Sequence, residues 1–162
     1  MEIVCPCGSN LRYEDCCKPI IQETTKAQTA EVLMRSRYSA HVIVDAQYLI
    51  NSTHISTRKN QSKIEIETWA KMCTWQKLEI VSTQKGLEND LIGEVEFKAH
   101  FIDLNQKSQI HHEKSVFKKG EGRWFFVDGK VIPAKINDET ILNRNHYCSC
   151  GSGKKFKKCC GK

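Results

Sequence analysis

Strict alternation of apolar and polar residues at positions 94–101 is the clearest hydrophobic pattern in the chain. Val95, Phe97 and Ala99 alternate with glutamate, lysine and histidine, which is the period of a strand buried on one face. The dipeptide Asp128-Gly129 predicts a tight turn after a later apolar segment. Three more strands are predicted at 78–83, 109–118 and 123–127, with turns at 105–108 and 120–122. Together these segments predict an antiparallel meander.

The first half of the chain has a helical period instead. Apolar residues recur three and four positions apart between residues 30 and 38, and Thr25 with Gln28 forms a capping box that would begin this helix. Two further helices are predicted at 45–52 and 64–73, with a polar loop at 51–62 between them. Helices followed by an antiparallel meander predict an α+β domain.

The composition is that of an ordinary soluble globular protein, with 162 residues, 40% of them hydrophobic and 27% charged. No apolar run approaches the roughly 18 residues that indicate a membrane span. The first residues lack the basic and apolar regions of a signal peptide. We therefore expect a cytoplasmic protein. The net charge of +6 is compatible with an acidic partner but does not require one.

Eight of the nine cysteines form two copies of one pattern, C-x-C-x8-C-C. The copies consist of Cys5, Cys7, Cys16 and Cys17 near the start, and Cys148, Cys150, Cys159 and Cys160 near the end. Gly-Ser follows the second cysteine in each copy, and next comes Asn10 or Gly153, residue types that tolerate a left-handed turn. Such a turn would fold the chain back and bring four sulfur atoms together.

Four thiolates in so short a segment, here called a zinc knuckle, can surround one tetrahedral Zn²⁺. We therefore expect two zinc ions per chain, both structural because four protein ligands leave no open position. Disulfides are the alternative, but they are disfavoured in a reducing compartment, and a bridge between such close cysteines is strained. Iron–sulfur clusters use other spacings. Metal should supply most of the folding energy of each knuckle, whereas the core is expected to stay folded without it.

Both cysteine segments resemble the SEC-C motif, the zinc module at the C-terminus of the preprotein translocase motor SecA. Residues 148–160 match closely, whereas the first copy departs from the motif at Asn10 and at 12–15. In SecA the module contacts the chaperone SecB and the ribosome. The resemblance therefore implies an adaptor linked to the ribosome or to protein export.

A SEC-C motif at each end of a chain of this length resembles the YchJ family of bacterial proteins. Residues 33–40 and 122–129 are also similar to segments of that family's middle domain. The resemblance implies a cone of helices on a curved antiparallel sheet, of the nuclear transport factor 2-like type. The expected domains are an N-terminal knuckle at 1–22, the core at 23–137, and a linker with the C-terminal knuckle at 138–162.

Such a cone can enclose a pocket, for which the sequence offers six candidate residues. They are Arg35, Arg37, Tyr38, Trp69, His111 and Glu113. Trp69 is expected to face inward, and strand alternation places His111 and Glu113 on one face and His112 on the other. Ordinary solvated or hydrogen-bonded roles are the alternative for the polar candidates. Cys73 is interpreted as a buried, unreactive thiol within a helix.

No glycine-rich phosphate loop, nucleophile elbow or zinc-protease motif is present, so no catalytic residue is assigned and an enzymatic role is not favoured.

The C-terminal knuckle is strongly basic. Residues 148–162 contain five lysines and no acidic residue, and the candidates for partner binding are Lys154, Lys155, Lys157 and Lys158. These lysines predict docking on an acidic protein, nucleic acid or ribosome, and a merely solvated tail is the alternative. Two classes of function remain open. One is a zinc-binding interaction or adaptor protein, and the other is a small-molecule-binding or enzymatic cone with structural zinc at its ends.

Overall fold

Four long antiparallel strands and a set of shorter helices make up the part of the chain described by the computed structural model, residues 3–133 and Lys158. The helices are α1 (Cys17–Ile21), α2 (Ala30–Val42), α3 (Ala46–Asn51), α4 (Ile55–Arg58) and α5 (Lys63–Met72), preceded by a 3-10 turn at Tyr13–Asp15. The strands are β1 (Thr74–Lys85), β2 (Ile92–Ile102), β3 (Ser108–Gly120) and β4 (Arg123–Val131), paired in sequence order. The α+β prediction is confirmed.

Strand β2 carries the alternation that the sequence predicts. Val95, Phe97 and Ala99 are almost fully buried and face the helices. In the register with its neighbours, Ala99 lies opposite Leu78 of β1, and Phe97 lies opposite Glu113 of β3. A carboxylate on β3 is therefore held against the apolar face of the sheet.

The turn predicted at Asp128-Gly129 is wrong, because both residues lie inside β4. The pairing of β3 with β4 shifts by one residue after Val116, so β4 has a bulge at this point. The Glu113 carboxylate occupies the space beside Gly129, since a Cβ atom there would overlap it. The glycine therefore makes room for a side chain and does not turn the chain.

The capping box predicted at Thr25 and Gln28 is also wrong. The Thr25 amide donates to Pro19 O in the turn that follows α1. Helix α2 instead begins after Thr29, whose side-chain oxygen accepts a hydrogen bond from the Val32 amide. Thr29 is thus a normal N-cap residue four positions later.

The helices after α2 agree with the prediction except in the polar loop. Asp45 caps α3 by accepting from the Tyr48 amide. The segment predicted as a loop contains α4, one turn of helix that begins after His54. Helix α5 ends at Met72, so Cys73 lies at its end in extended backbone and is half-buried, which corrects the mid-helix placement and the burial expected for it.

The first cysteine segment shares its core with the helices and the sheet. It belongs to one compact unit, Met1–Ile132, and a second unit is formed by Pro133–Lys162. Cys5, Cys7 and Cys17 lie in the same buried cluster as residues of α2 and β2. In the part of the chain that the structure describes, no helix is both long enough and apolar enough to cross a membrane.

Candidate metal centre and core cavity

The loop between Cys7 and Cys16 folds back on itself, as the sequence predicts. Gly8 and Asn10 both have positive φ angles, of 79° and 62°. The Cys5 amide donates to Leu11 O at 2.8 Å and closes the loop. The loop therefore returns the chain to the first cysteine pair before α1 begins at Cys17.

Four sulfur atoms meet at this point. The Sγ atoms of Cys5, Cys7, Cys16 and Cys17 all lie within 4.8 Å of one another. Cys16 Sγ is 3.7 Å from Cys7 Sγ and 3.9 Å from Cys17 Sγ. A tetrahedral zinc ion with Zn–S distances of about 2.3 Å separates its sulfur ligands by about 3.8 Å. The four cysteines thus have the chemistry and the spacing to hold a metal ion.

The charge state of the cluster also fits a cation. The hydrogen bond from Cys17, more than any other contact, lowers the pKa of Cys7 to about 4. Burial raises the pKa of Cys16 to about 11, and the hydrogen bond to Cys7 together with burial raises the pKa of Cys17. Cys7 therefore loses its proton readily, whereas Cys16 and Cys17 resist losing theirs in the same buried space. A divalent cation would remove that resistance, and its binding would displace the remaining protons.

Helix α2 and the cysteine loop are joined by polar contacts. Arg35 donates from Nη1 to the Cys7 carbonyl at 2.8 Å and is also paired with Glu31. Ser39 Oγ lies 3.7 Å from Cys5 Sγ, and Ser9 Oγ lies 3.2 Å from Cys16 Sγ. Arg35, a pocket candidate from the sequence, is therefore placed beside the metal centre.

A second candidate site lies between the helices and the sheet, where a cavity of about 370 Å³ opens. The other five pocket candidates, Arg37, Tyr38, Trp69, His111 and Glu113, all line it. The remaining lining residues are Met34, His41, Gln61, Trp75, Phe97, Ala99, Ser115 and Phe126.

Aromatic rings form one wall of the cavity. Trp69 and Trp75 meet edge to face with their centroids 5.0 Å apart. His41 packs against both, and Tyr38 packs edge-on against Trp75. Trp69 lines the cavity but keeps 37% of its surface exposed, so the inward placement predicted for it is only partial.

The cavity also contains an acidic group. Glu113 accepts hydrogen bonds from His111 Nε2 at 2.8 Å and from Ser115 Oγ at 2.5 Å. Burial by itself would raise the pKa of Glu113, but these two hydrogen bonds hold it below its usual value, so the carboxylate is ionised at neutral pH. His112 points to the other face of the sheet, where it bonds to Glu96.

Arg37 provides the positive charge of the cavity and is only 8% exposed. Its Nη1 atom donates to Leu49 O at 2.8 Å and to Ser52 Oγ at 2.6 Å. Its guanidinium carbon lies 4.5 Å from the centroid of the Phe126 ring. Burial lowers the pKa of Arg37 to about 10, so it remains charged at neutral pH.

Sequence reasoning missed His41, Trp75 and Phe126 among the cavity residues. His41 follows Arg37 by one helical turn, so the helical period of α2 could have identified it once Arg37 was a candidate. No comparable signal existed for Trp75 and Phe126, because their strands do not alternate cleanly in sequence.

Comparison with known families matches residues 29–129 to "YchJ, middle NTF2-like domain", and residues 4–19 and 144–162 to the SEC-C motif. The chain belongs to the YchJ family. The UPF0225 protein of Photorhabdus laumondii is 44% identical over 99% of this chain and 100% of its own length. That of Geobacter sulfurreducens is 39% identical over 99% of both chains. The resemblance stated from the sequence is confirmed.

Two solved structures share this family fold. The solution structure of a SEC-C motif containing protein from Rhodopseudomonas palustris has a TM-score of 0.73 and 33% identity, covering 82% of this chain and 100% of that one. The crystal structure of a SEC-C motif containing protein from Psychrobacter arcticus has a TM-score of 0.68 and 34% identity, covering 98% and 95%. The nuclear transport factor 2-like expectation for the middle domain is thus confirmed.

The second SEC-C copy falls almost wholly outside the described residues. Its predicted ligands Cys148, Cys150, Cys159 and Cys160, and Lys154, Lys155 and Lys157, lie there. Lys158 is described, and it is exposed in a 3-10 turn.

Proposed function

We propose that Cys5, Cys7, Cys16 and Cys17 bind one Zn²⁺ ion in a structural role. The observation that carries this proposal is the convergence of all four Sγ atoms within 4.8 Å. Thiolate sulfur favours zinc over hard cations such as magnesium or calcium. Four cysteine ligands fill a tetrahedral shell, so the ion would fasten the chain and would not bind substrate.

A second zinc ion in the C-terminal copy follows from the repeated spacing. Cys148, Cys150, Cys159 and Cys160 repeat the spacing of the first set, with Gly-Ser in the same place. We propose two structural zinc ions per chain. Such thiolate sites persist in a reducing compartment, so a cytoplasmic location belongs to the same proposal.

Metal analysis of single-cysteine variants tests the two sites separately. Protein purified without chelator should contain two zinc ions per chain, and the Cys17→Ser and Cys150→Ser variants should each contain one. Cys73→Ser is the matched control, since Cys73 stands apart from the four-sulfur cluster, and it should retain two. Less than one zinc ion per chain in the unmodified protein, with its thiols intact, would overturn the proposal.

The function we propose for the whole chain is that of a zinc-stabilised adaptor whose C-terminal knuckle docks on an acidic surface, such as a ribosome or an export component. The first copy neutralises its own charges, because Arg12 pairs with Asp15 and Lys18 pairs with Glu14. In the second copy lysines occupy the positions equivalent to these two acids. Its positive charge therefore lacks the local acidic partners that the first copy has.

Sedimentation with bacterial ribosomes tests the docking proposal. Binding should fall steeply between about 50 and 200 mM salt, because phosphate contacts release counterions. Glutamine at Lys154, Lys155, Lys157 and Lys158 should abolish binding and leave the zinc content unchanged. Glutamine at the exposed residues Lys59, Lys77, Lys85 and Lys130 is a charge-matched control and should not affect binding. Equal binding by the two quadruple variants would contradict the proposal.

A further inference from the structure

The cavity contains a buried positive charge, that of Arg37, which no carboxylate among the described residues contacts directly; Glu113 acts on it only through space. Arg37 donates only through Nη1, and all of its acceptors are neutral oxygens, including Thr53 Oγ1 at 3.4 Å. Within residues 3–133, no aspartate or glutamate forms an ion pair with Arg37, and its Nε and Nη2 atoms have no acceptor. A buried guanidinium with N–H groups that lack a direct acceptor is costly, so a ligand that paired with it would be bound favourably.

The carboxylate that shares the cavity, that of Glu113, already accepts hydrogen bonds from neighbouring side chains. Both oxygens of Glu113 accept hydrogen bonds, one from His111 and one from Ser115. Glu113 therefore has its own hydrogen-bond donors, whereas Nε and Nη2 of Arg37 have N–H groups without an acceptor among the described residues. The cavity therefore lacks a hydrogen-bond acceptor placed directly against Arg37.

Two more polar groups lie on the same side of α2 without partners. His41 Nδ1 is shut off from solvent and has no hydrogen-bond partner among the described groups. Tyr38 is 2% exposed, and its hydroxyl forms no hydrogen bond to any side chain or backbone group that the structure describes. Arg37, Tyr38 and His41 all line the cavity, and Arg37 and Tyr38 bring polar groups without partners to it, as buried polar groups do in ligand sites.

The rest of the cavity suits a flat apolar body. Trp69 and Trp75 present two large rings at right angles, and Phe97 lies among the same lining residues. Aromatic ligands pack well against such walls, edge-on or offset. A volume of about 370 Å³ is within the range of small-molecule sites.

We propose that this cavity binds a small planar aromatic carboxylate. The carboxylate would accept hydrogen bonds from Nε and Nη2 of Arg37, the paired geometry that guanidinium groups favour, and the ring would lie against Trp69 and Trp75. A monoanion fits better than a phosphate dianion, because Glu113 in the same cavity repels additional negative charge. The proposal does not depend on the zinc or docking proposals, since none of the described residues that line the cavity is a cysteine or one of the lysines proposed to dock.

A series of three naphthalene compounds tests the required charge. The probes are naphthalene-2-carboxylate, the neutral naphthalene-2-carboxamide and the cationic 2-naphthylmethylammonium, measured with the full zinc-loaded chain by calorimetry and ligand-observed NMR. The carboxylate should bind roughly tenfold more tightly than the amide, since a charge-assisted pair replaces a neutral one. The cation should not bind. Equal affinity for carboxylate and amide, tighter binding of the cation, or no binding of any probe would overturn the proposal.

Variants of the cavity residues test where the anion sits. Arg37→Gln should weaken carboxylate binding roughly tenfold or more. Arg123→Gln is the matched control, because Arg123 also stacks on an aromatic ring, that of Phe125, but does not line this cavity. It should leave the affinity unchanged, and equal losses in both variants would contradict the assignment.

A third variant keeps the test decisive if Arg37→Gln fails to fold. Glu113→Gln removes the competing negative charge and should bind the carboxylate several-fold more tightly. Trp69→Leu, at a partly exposed position, should weaken all aromatic probes alike. Loss of carboxylate binding in Glu113→Gln would show that the acid and not the arginine anchors the ligand, which would overturn the proposal.

Discussion

At the scale of single residues, the effect of burial on a titratable group is clearest at His41. Its ring packs edge-on against Trp69 with centroids 5.2 Å apart and also contacts Trp75. Burial, assisted by the nearby positive charge of Arg37, lowers the pKa of His41 to about 3. The ring is therefore neutral in the folded protein at every pH above that value.

This low pKa predicts acid sensitivity. The unfolded chain takes up a proton at position 41 near pH 6.5, whereas the folded chain does so only near pH 3, so stability is complete above pH 6.5 and is lost as the pH falls toward 3. By pH 5 this one group should cost about 1–2 kcal/mol of unfolding free energy. His41→Phe keeps an aromatic ring and should reduce the pH dependence measured by urea unfolding at pH 7.5 and pH 5.

His54→Phe is the control for that measurement. His54 also packs edge-on against an aromatic ring, that of Phe125, but it lies outside the cavity. Its pH dependence should follow that of the unmodified protein. If His41→Phe and His54→Phe had the same pH dependence as the unmodified chain, the assignment to His41 would fail.

At the scale of secondary structure, α2 joins both candidate sites, and its start is fixed by close packing on the sheet. The Ala30 amide donates to Gly86 O at 2.9 Å. At the hairpin end of β1 and β2, Gly93 pairs with Lys85 and lies against Gly86, and a Cβ atom at either glycine would come within 3.0 Å of Ala30 Cβ. These two glycines let the helix start close to the hairpin, which sets the position of Arg35 and Arg37 further along α2.

Gly93→Ala is accordingly expected to destabilise the fold. The added methyl group would overlap Gly86 and press on Ala30, and overpacking of this kind costs about 1–3 kcal/mol. Thermal unfolding followed by circular dichroism should show a melting temperature several degrees lower. Gly120→Ala is the control, since its Cβ would meet only Phe125 at 3.8 Å. A Gly93→Ala melting temperature equal to that of the control would refute the packing argument.

At the scale of the whole molecule, the N-terminal knuckle and the core are not independent. Three of its four cysteines lie in the main buried cluster, and Arg35 bonds to the Cys7 carbonyl from within α2. A Cβ atom at Gly8 would also lie 3.5 Å from Leu78 O of β1. Removal of a bound metal should thus also destabilise the neighbouring helix α2.

Hydrogen exchange with and without chelator should show this coupling as a graded loss. Amides of residues 3–21 should lose protection first, those of α2 should exchange faster, and those at 95–101 in β2 should stay protected, because the sheet has its own long ladders. Loss of protection at 95–101 at the same chelator concentration would show that the metal holds the entire core together. Unchanged exchange in α2 would show that the knuckle is an independent module.

The sequence predicted best those features that depend on residues close together in the chain. The alternation in β2 and the spacing of the cysteines are short-range patterns, and the structure reproduces the strand and brings the first four sulfur atoms together. Which residues of α2 face which site could not be predicted without knowing how the helix packs. Arg35 and Arg37 are two positions apart, about 200° around the helix, so they serve different sites, and only the packing shows which one reaches the cavity.

Two of the local predictions that are wrong, the capping box and the Asp128-Gly129 turn, have a common origin. Thr25 and Thr29 are both suitable N-cap residues. The helix begins after Thr29, where the Ala30 amide can donate to Gly86 O. Asp128-Gly129 is a strong turn dipeptide, but both residues pair with β3, whose Glu113 side chain fills the space beside Gly129. In both places a contact distant in sequence overrode a valid local signal.

The way the segment after α3 is fastened to β4 has a consequence for the order of folding. The Thr57 hydroxyl donates to Val127 O, 70 residues further along the chain, and Thr53 forms a β-bridge with Phe126. These two contacts are here called the clasp. The meander, in contrast, pairs strands joined by short turns. Because closing a long loop costs more entropy than closing a short one, the hairpins should form first and this clasp later. The cavity is lined by residues of the sheet, such as Phe97, and by Gln61 just after α4, so it should close to water only when the clasp has formed.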